Sequence, residues 1–306
     1  MKQYIIRRVG YCLLSLFLLS LTIFFFVRVT GDPATLLVEP GASAADIAAI
    51  HKQFGLDRPL IVQYWLFLIS LLHGDLGQSF YYQTPVMQLY LDRLPNSLLL
   101  AIVSMGLSLL IGIPAGIMAS VQVGRFWDGF GKLFTLLGLS LPSFLVGLVL
   151  ILVFSVYLGW LPSSGFGGPL HLIMPAFALG WYFAASHMRL TRSSMLEVLG
   201  SEYIKLARLK GLPQKLVIAK HAFKNALIPV LTLAGINLVI MVNVAVVVET
   251  VFAWPGIGRL LYEGITFRDF PIVQGVVLMG GLMIVVVNLV VDILYAIIDP
   301  RIRLES

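Results

Sequence analysis

The chain has 306 residues, a net charge of +6, 59% hydrophobic and only 12% charged residues, and a mean hydropathy of +0.95. Soluble domains average roughly 45–50% apolar and ~25% charged residues, so too few charges remain here to build a water-facing shell. The excess apolar surface must face lipid, which makes this a polytopic membrane protein and excludes a disordered chain, a collagen-like fibre and a disulfide-stapled secreted domain.

Crossing a hydrocarbon core takes about 20 residues of helix. Six runs meet that length: Val9–Val27, Ser97–Val121, Leu133–Leu158, His171–Met188, Asn225–Val248 and Val273–Ile298. They are continuous Leu/Ile/Val/Phe/Gly stretches, not short alternating ones, so an all-α fold of six transmembrane helices is expected rather than a barrel. The first run follows Lys2, Arg7 and Arg8 but exceeds a signal-peptide core and has no Ala-x-Ala-like site after it, so it reads as an uncleaved helix. The lone cysteine, Cys12, lies inside it and can form no intrachain disulfide.

After the first run comes a long segment, 29–96, holding Asp32, Glu39, Asp46, Asp57, Asp75 and Asp92. Within it 43–54 has helical spacing, with Ile47, Ile50 and Phe54 on one side, before Gly55 and Pro59 break the pattern. Ile61–Leu72 is apolar but too short to span comfortably, and reads as an interfacial or re-entrant helix. Gly112 and Gly116 form a GxxxG pair that suits close helix packing.

Orientation follows from Lys and Arg. The N-terminus, the 122–132 loop, the 189–224 loop and the tail carry 15 of them against five in the opposite loops. Both termini are therefore expected in the cytoplasm. Because the basic residues sit between hydrophobic runs, membrane lipid rather than nucleic acid is the expected counterpart of the positive charge. The chain reads as one transmembrane domain, 1–306, with 29–96 outside and 189–224 inside.

The 189–224 loop holds eight basic residues and two acids, Glu197 and Glu202. Ser201 can cap a helix starting at Glu202, with Glu202 in its first turn and Lys210 in its last, both favourable against the helix dipole. Gly211 supplies a left-handed stop, and Pro213 opens a second helix toward the membrane. Tyr203, Leu206 and Ala207 share a face by their spacing. Such a helix can rest on anionic headgroups or plug into a groove on a soluble partner, and its physics alone favours neither.

At the outer end of the fifth run, Trp254, Pro255, Gly256 and Gly258 make a helix-breaking turn. It can be an ordinary interfacial loop with an aromatic anchor. It can also be a gate or docking surface, with Glu249 the charged residue nearest the pathway. Asp292 in the last run is read as reaching the cytoplasmic interface or pairing with a basic residue. Asn243 and Asn288 are read as interhelical hydrogen-bonding groups. His51, His73, His171, His187 and His221 are scattered, so no metal site is expected. GLSLP at 138–142 is not a nucleophile elbow, and no catalytic constellation is visible. GFGK at 129–132 lacks the upstream glycine and the Ser/Thr of a phosphate-binding loop, so the chain cannot hydrolyse ATP.

The stretch EYIKLARLKGLP, followed by HAFKNALIP, resembles the cytoplasmic loop of permease subunits of binding-protein-dependent ABC importers. Ala207, Gly211, Leu227 and Pro229 match, whereas Lys205 and Leu206 replace the acidic and alanine positions of the short consensus and the gap from Gly211 to Pro229 is longer. Both departures are typical of the dipeptide/oligopeptide/nickel/glutathione branch. YIIRR at the N-terminus, GDPA at 31–34, GLDRPL at 55–60, HGDLGQSF at 73–80, LPSF at 141–144, ETVFAWPGIGRLL at 249–261, RDFP at 268–271 and VDILYAIIDPRIR at 291–303 resemble the same branch, and its first permease in particular. The resemblance covers nearly the whole chain.

It implies a type I ABC importer permease fold and a non-enzymatic transport subunit in the bacterial inner membrane. The implied partners are a second, homologous permease, two ATP-binding subunits that hold ATP and magnesium, and a periplasmic or extracellular solute-binding protein. This chain is expected to bind no cofactor itself. Glu202, Tyr203, Ala207, Arg208, Lys210 and Gly211 are the residues expected to couple to the ATPases, with Ala207 at closest approach. Glu249, Trp254, Pro255 and Gly256 are the gate or docking residues. Peptides are the commonest implied cargo; a nickel chelate and glutathione are the other substrates open, and a stand-alone secondary transporter or channel is the competing class. That class wants mid-membrane acids and internal repeats; mid-span acids are nearly absent and no convincing repeat is found.

Overall fold

The structure is a computed structural model that describes residues 2–29, 52 and 57–298, with side chains described at 7–29, 52 and 57–289. The expected helix at 43–54, Asp32, Glu39, Asp46, Asp299, Arg301, Arg303 and the side chain of Asp292 lie outside the described residues. The chain is nearly all helix: α1 (Lys2–Val29), α2 (Leu60–Leu72), α3 (Val86–Val121), α4 (Phe126–Ser140), α5 (Ser143–Tyr157), α6 (Pro169–Leu199), α7 (Glu202–Leu209), α8 (Gln214–Val244), α9 (Val246–Val251), α10 (Ile257–Thr266) and α11 (Phe270–Ile298). The last part of α5, from Ile151, and the Val217–Ala222 turns of α8 are π-helical.

Among the described residues, four helices are long and apolar enough to cross a membrane. These are α1 from Arg7, α3, α8 and α11 to Leu289. The third expected span is not one continuous helix. It breaks between α4 and α5 with a 103° bend, and counts as a fifth span only if the pair is taken together. Pro142 is the cause: it disfavours helical backbone in the residue before it, and Leu141 is extended at φ −84°, ψ 124°. The run His171–Met188 lies inside α6, whose 31 residues are long enough to span at 1.5 Å per residue. Its many buried small and polar residues, such as Ala176, Ala178, Ala184, Ala185, His187 and Thr191, lower its apolarity because α6 is packed among other helices.

The chain divides into two compact units, residues 1–95 with 256–306, and residues 96–255. In the first, α1 packs on α11, and α10 packs on α11. Gly281 on α11 leaves room for Leu19 of α1. α2 sits by α1 through an aromatic nest. Phe24 is fully buried with Tyr64 at 5.1 Å and Phe67 at 5.5 Å between ring centroids, and the Arg28 guanidinium lies 3.4 Å over its ring. The Ser20 and Tyr64 hydroxyls are 2.9 Å apart, and Arg28 Nε donates to Gln63 Oε1 at 3.1 Å.

In the second unit α6 is the central helix, packed by α4, α5 and α8. The GxxxG reading holds. A Cβ on Gly112 would lie 2.7 Å from the Ala184 carbonyl oxygen, and one on Gly116 would lie 2.7 Å from that of Met188. Gly180 of α6 answers with the same closeness, 2.8 Å from the carbonyl oxygen of Ser104. Without water to drive association, backbone contact of this kind is what holds membrane helices together. The buried polar groups between these helices bond one another: His187 Nδ1 lies 3.2 Å from Ser108 Oγ, and His187 Nε2 lies 3.4 Å from Asn237 Nδ2. Asn243 does not bridge helices as expected. Its amide donates to the Val239 carbonyl one turn back, 3.0 Å away. Asn288 is exposed.

Candidate functional site: the 202–209 helix and the 249–258 turn

α7 begins and ends as its sequence dictates. Glu202 opens it and Arg208 closes it, each favourable to the helix dipole. The expected Lys210 end falls one residue outside, as the C-cap. Gly211 takes φ +77°, its N–H donates to the Arg208 carbonyl at 2.9 Å, and the Leu212 N–H reaches back to the Ala207 carbonyl at 3.4 Å. These two bonds are the Schellman stop, which favours a glycine at its left-handed position. The Ser201 cap does not form. Ser201 has the extended backbone of an N-cap, but its hydroxyl donates instead to the Val198 carbonyl at 2.6 Å, closing the end of α6.

The faces of α7 fall differently from the expected grouping. Ile204 is fully buried and Ala207 nearly so. Both join Met195, Val217, Ala222 and Ala226 in an apolar cluster that Leu212 and Phe223 complete. Burying Ile204 stabilises this seat by roughly 2 kcal/mol. Ala207 therefore makes its close approach to its own chain, while Tyr203, Leu206 and Leu209 are exposed at 44%, 53% and 84%. The reason is the helical repeat: positions 204 and 207 lie one turn apart on one side, and 203, 206 and 210 lie on another. Tyr203 is steadied by Asn225, whose amide donates to its hydroxyl at 2.8 Å. Glu202 and Lys205 pair at 2.7 Å on the exposed side. Arg208, Lys210 and Gly211 are exposed as well. α7 is thus an amphipathic helix bolted to its own unit, presenting an apolar stripe rimmed by cations.

One residue that sequence reasoning did not single out fixes the neighbouring loop. Asp128, buried in the first turn of α4, accepts from the Gly124 N–H at 3.0 Å, Lys132 Nζ at 2.9 Å, and Arg192 Nε and Nη2 at 2.8 and 2.7 Å. Its i, i+4 relation to Lys132 was readable in the sequence; its tie to Arg192, 64 residues on, was not. Arg192 is therefore a structural strut between α4 and α6.

At the other site, Glu249, expected as the charged residue nearest the pathway, is fully buried within its unit. Ser97 Oγ donates to its Oε1 at 2.6 Å. Trp254 is likewise buried rather than an interfacial anchor. Its indole N–H donates to the Asn96 carbonyl at 3.0 Å, and its ring meets Phe166 edge-on at 4.9 Å. The Asn96 amide in turn donates to the Pro255 carbonyl at 2.9 Å, and the Trp254 N–H to the Glu249 carbonyl at 2.8 Å. The turn is cross-bonded at each end. Gly256 has extended backbone and leads into α10.

The first unit carries a clasp that joins the 73–82 loop to the residues just ahead of α11. Asp269, buried just ahead of α11, accepts from Ser79 Oγ at 2.6 Å, the Tyr81 N–H at 2.9 Å and the Ile272 N–H at 3.3 Å. It caps α11 and pins the HGDLGQSF loop together. Beside it the Tyr82 hydroxyl donates to Glu263 at 2.8 Å, and Arg259 and Arg93 flank that carboxylate at 3.0 and 3.8 Å. Burial, and then the hydrogen bond to Glu263, push the Tyr82 phenol up from 10.0 to about 12. A phenol whose folded value is raised stabilises the fold fully below its ordinary value, and that contribution is lost as pH rises through about 12. Thermal unfolding followed from about pH 10 to 12 should show a shallower alkaline loss in Tyr82→Phe than in the parent. Parallel curves would leave this bond without a part in stability.

Among the described residues no group of three or more His, Cys, Asp or Glu side chains could hold a metal ion. Residues 112–304 match the family described as binding-protein-dependent transport system inner membrane component, and residues 1–101 match its N-terminal membrane component. The chain is 40% identical over 304 residues to the glutathione transport system permease protein GsiC of Escherichia coli (strain K12) and equally to that of Salmonella typhimurium (strain LT2), covering 99% of both chains in each case. Among solved structures, an amino acid ABC transporter chain aligns with a TM-score of 0.54 at 14% identity, over 68% of this chain and 92% of that one. The MetNI methionine ABC transporter in an inward-facing conformation aligns with a TM-score of 0.54 at 19% identity, over 70% and 97%. The fold is that of ABC importer permeases, and the expected six-span count stands at four or five by length and apolarity among the described residues. The chain belongs to the binding-protein-dependent transport system inner membrane components: it is a non-catalytic permease subunit of an ABC importer, working with partners that use ATP and with a solute-binding protein.

Proposed function

We propose that this chain is the first of two different permeases in a peptide-type importer, and that α7 is the lever through which two ATP-binding subunits drive it. The observation that carries this is the two-faced α7. Ile204 and Ala207 fix it to its own unit, while Tyr203, Leu206 and Leu209 stand exposed among Lys205, Arg208 and Lys210. An amphipathic helix with an apolar stripe and a charged rim fits a groove on a soluble protein. Closing of the ATPases around ATP and magnesium would carry α7 with them, and the membrane helices would rock between inward-open and outward-open states. The excess of Lys and Arg in the 122–132 and 189–224 loops supports cytoplasmic termini. Glu249, Trp254, Pro255 and Gly256 form the outer gate or the docking surface for the binding protein. Their support is the cross-bonded turn, stiff enough to move as one piece. The cargo is a small peptide, glutathione included, a reading supported by the relatives' transport of glutathione.

The test is a mild-detergent pull-down of the tagged chain from its native membrane with mass spectrometry, beside uptake of labelled glutathione. A second permease and P-loop ATPases, released by Gly211→Val, are the expected companions. Purification alone or as a homo-oligomer would refute the lever. Uptake equal to wild type in Glu249→Ala would remove the gate.

A further inference from the structure

The second unit carries two adjoining cavities on one face. The first, about 530 Å³, lies at the Pro142 break and is lined by Ser140, Ser143, Tyr182 and Asn237 among apolar side chains. The second, about 350 Å³, is lined by Thr135, Lys132, Arg189 and Arg192 with Leu136 and Met188. Leu139 and Ser140 line both, so the two adjoin there and are taken together as one lane.

The chemistry changes along it. The first part offers neutral hydroxyl and amide groups, and Ser143 is also the first residue of α5, where backbone amides lack intrahelical acceptors. The second part is cationic, and no acidic side chain lines either cavity. Two of its three cations are already committed to Asp128, whereas exposed Arg189 meets no carboxylate among the described residues. Polar groups at membrane depth face a bundle interior or a water-filled cavity rather than lipid tails. On α6, Tyr182, Ser186 and Arg189 recur at helical spacing along the same side, none of them buried.

We propose that this lane is the solute's route through the subunit and that Arg189 takes up a carboxylate of the solute at its cytoplasmic end. The neutral part suits amide groups, and a guanidinium matches a carboxylate in fork geometry. Apolar walls strengthen the attraction by lowering the local dielectric. The solutes so selected are small peptide-like molecules with a free carboxylate. The inference rests on the importer reading above, and its test is independent of ATPase capture.

Cys12 is the only cysteine in the chain, so Cys12→Ser with Ser140→Cys puts a single thiol where the two cavities join. The assembled transporter, in phosphatidylcholine vesicles with and without phosphatidylglycerol, is labelled with methanethiosulfonates bearing a sulfonate or an ammonium group. The sulfonate should react faster relative to the ammonium reagent, in both lipids. Arg189→Gln should lower that ratio at least about threefold and Arg189→Lys should keep it. An unreactive thiol would mean the lane faces lipid. A ratio indifferent to Arg189→Gln would remove the carboxylate role. A ratio that vanishes with phosphatidylglycerol would assign Arg189 to a lipid headgroup instead. Each of these overturns the proposal. Loss of the ATPases from the pull-down would bear on the lever alone.

Discussion

Leu206→Glu is expected to abolish capture of the ATP-binding subunits while the permease itself stays folded. Leu206 is half exposed on the outward side of α7 and supports nothing in its own chain's apolar cluster. A carboxylate there costs the permease little, but must be desolvated inside any apolar groove that receives the helix. Loss of a central anchor of this kind costs about 2 kcal/mol or more, roughly 30-fold in affinity. Ala207→Trp is expected to fail by another route. Ala207 is buried in one cluster with Met195, Val217 and Ala222, so an indole there overfills the chain's own seat for α7 and lowers the thermal midpoint of the isolated permease. Size-exclusion profiles and thermal midpoints in detergent, read beside the pull-down, separate the two. Full ATPase capture by Leu206→Glu would mean that the outward stripe rests on lipid headgroups.

Gly116→Val is expected to leave little folded protein. A Cβ at this position would lie 2.7 Å from both the Met188 carbonyl oxygen and Thr191 Cβ, and α3 and α6 would have to part. Overpacking a core costs about 1–3 kcal/mol where side chains can shift. Here the obstacle includes backbone, so the upper end or beyond is expected. Gly106→Val in the same helix is the control, because nothing lies within 4 Å of a Cβ there. The measurement is the monodisperse fraction after solubilisation. Equal yields from the two variants would contradict the close approach.

What the sequence disclosed depended on how local the cause was. The Gly211 stop and the Gly112–Gly116 contact were legible because glycine's lack of a Cβ acts where it stands. The helix break at Pro142 had an equally local cause, yet the continuous apolar run around it hid the break. The inward side of α7 was misread because both sides carry apolar residues. Which side is covered depends on Val217 and Ala222, beyond the turn. Asp128 with Arg192, Asp269 with Ser79 and Glu249 with Ser97 are pairings across 64 to 190 residues, and no spacing rule reaches that far. The turn at Trp254–Gly258 was legible as a turn, but the burial of Trp254 was not, since an aromatic beside a proline looks the same at a membrane surface as inside a core.

The anchoring of α7 has a mechanical consequence. Springs joined in series share one force, and the softest of them takes nearly all the extension. α7 is joined to its unit through close-packed apolar contacts, and protein interiors of that density compress little. A pull on α7 is therefore handed on almost undiminished to α6 and α8. The yielding must occur where the backbone ladder is already interrupted. In this unit the extended Leu141–Pro142 link, which lines the first cavity, is one such place. On the lever reading proposed above, work delivered at α7 can thus be spent where the proposed lane widens or narrows.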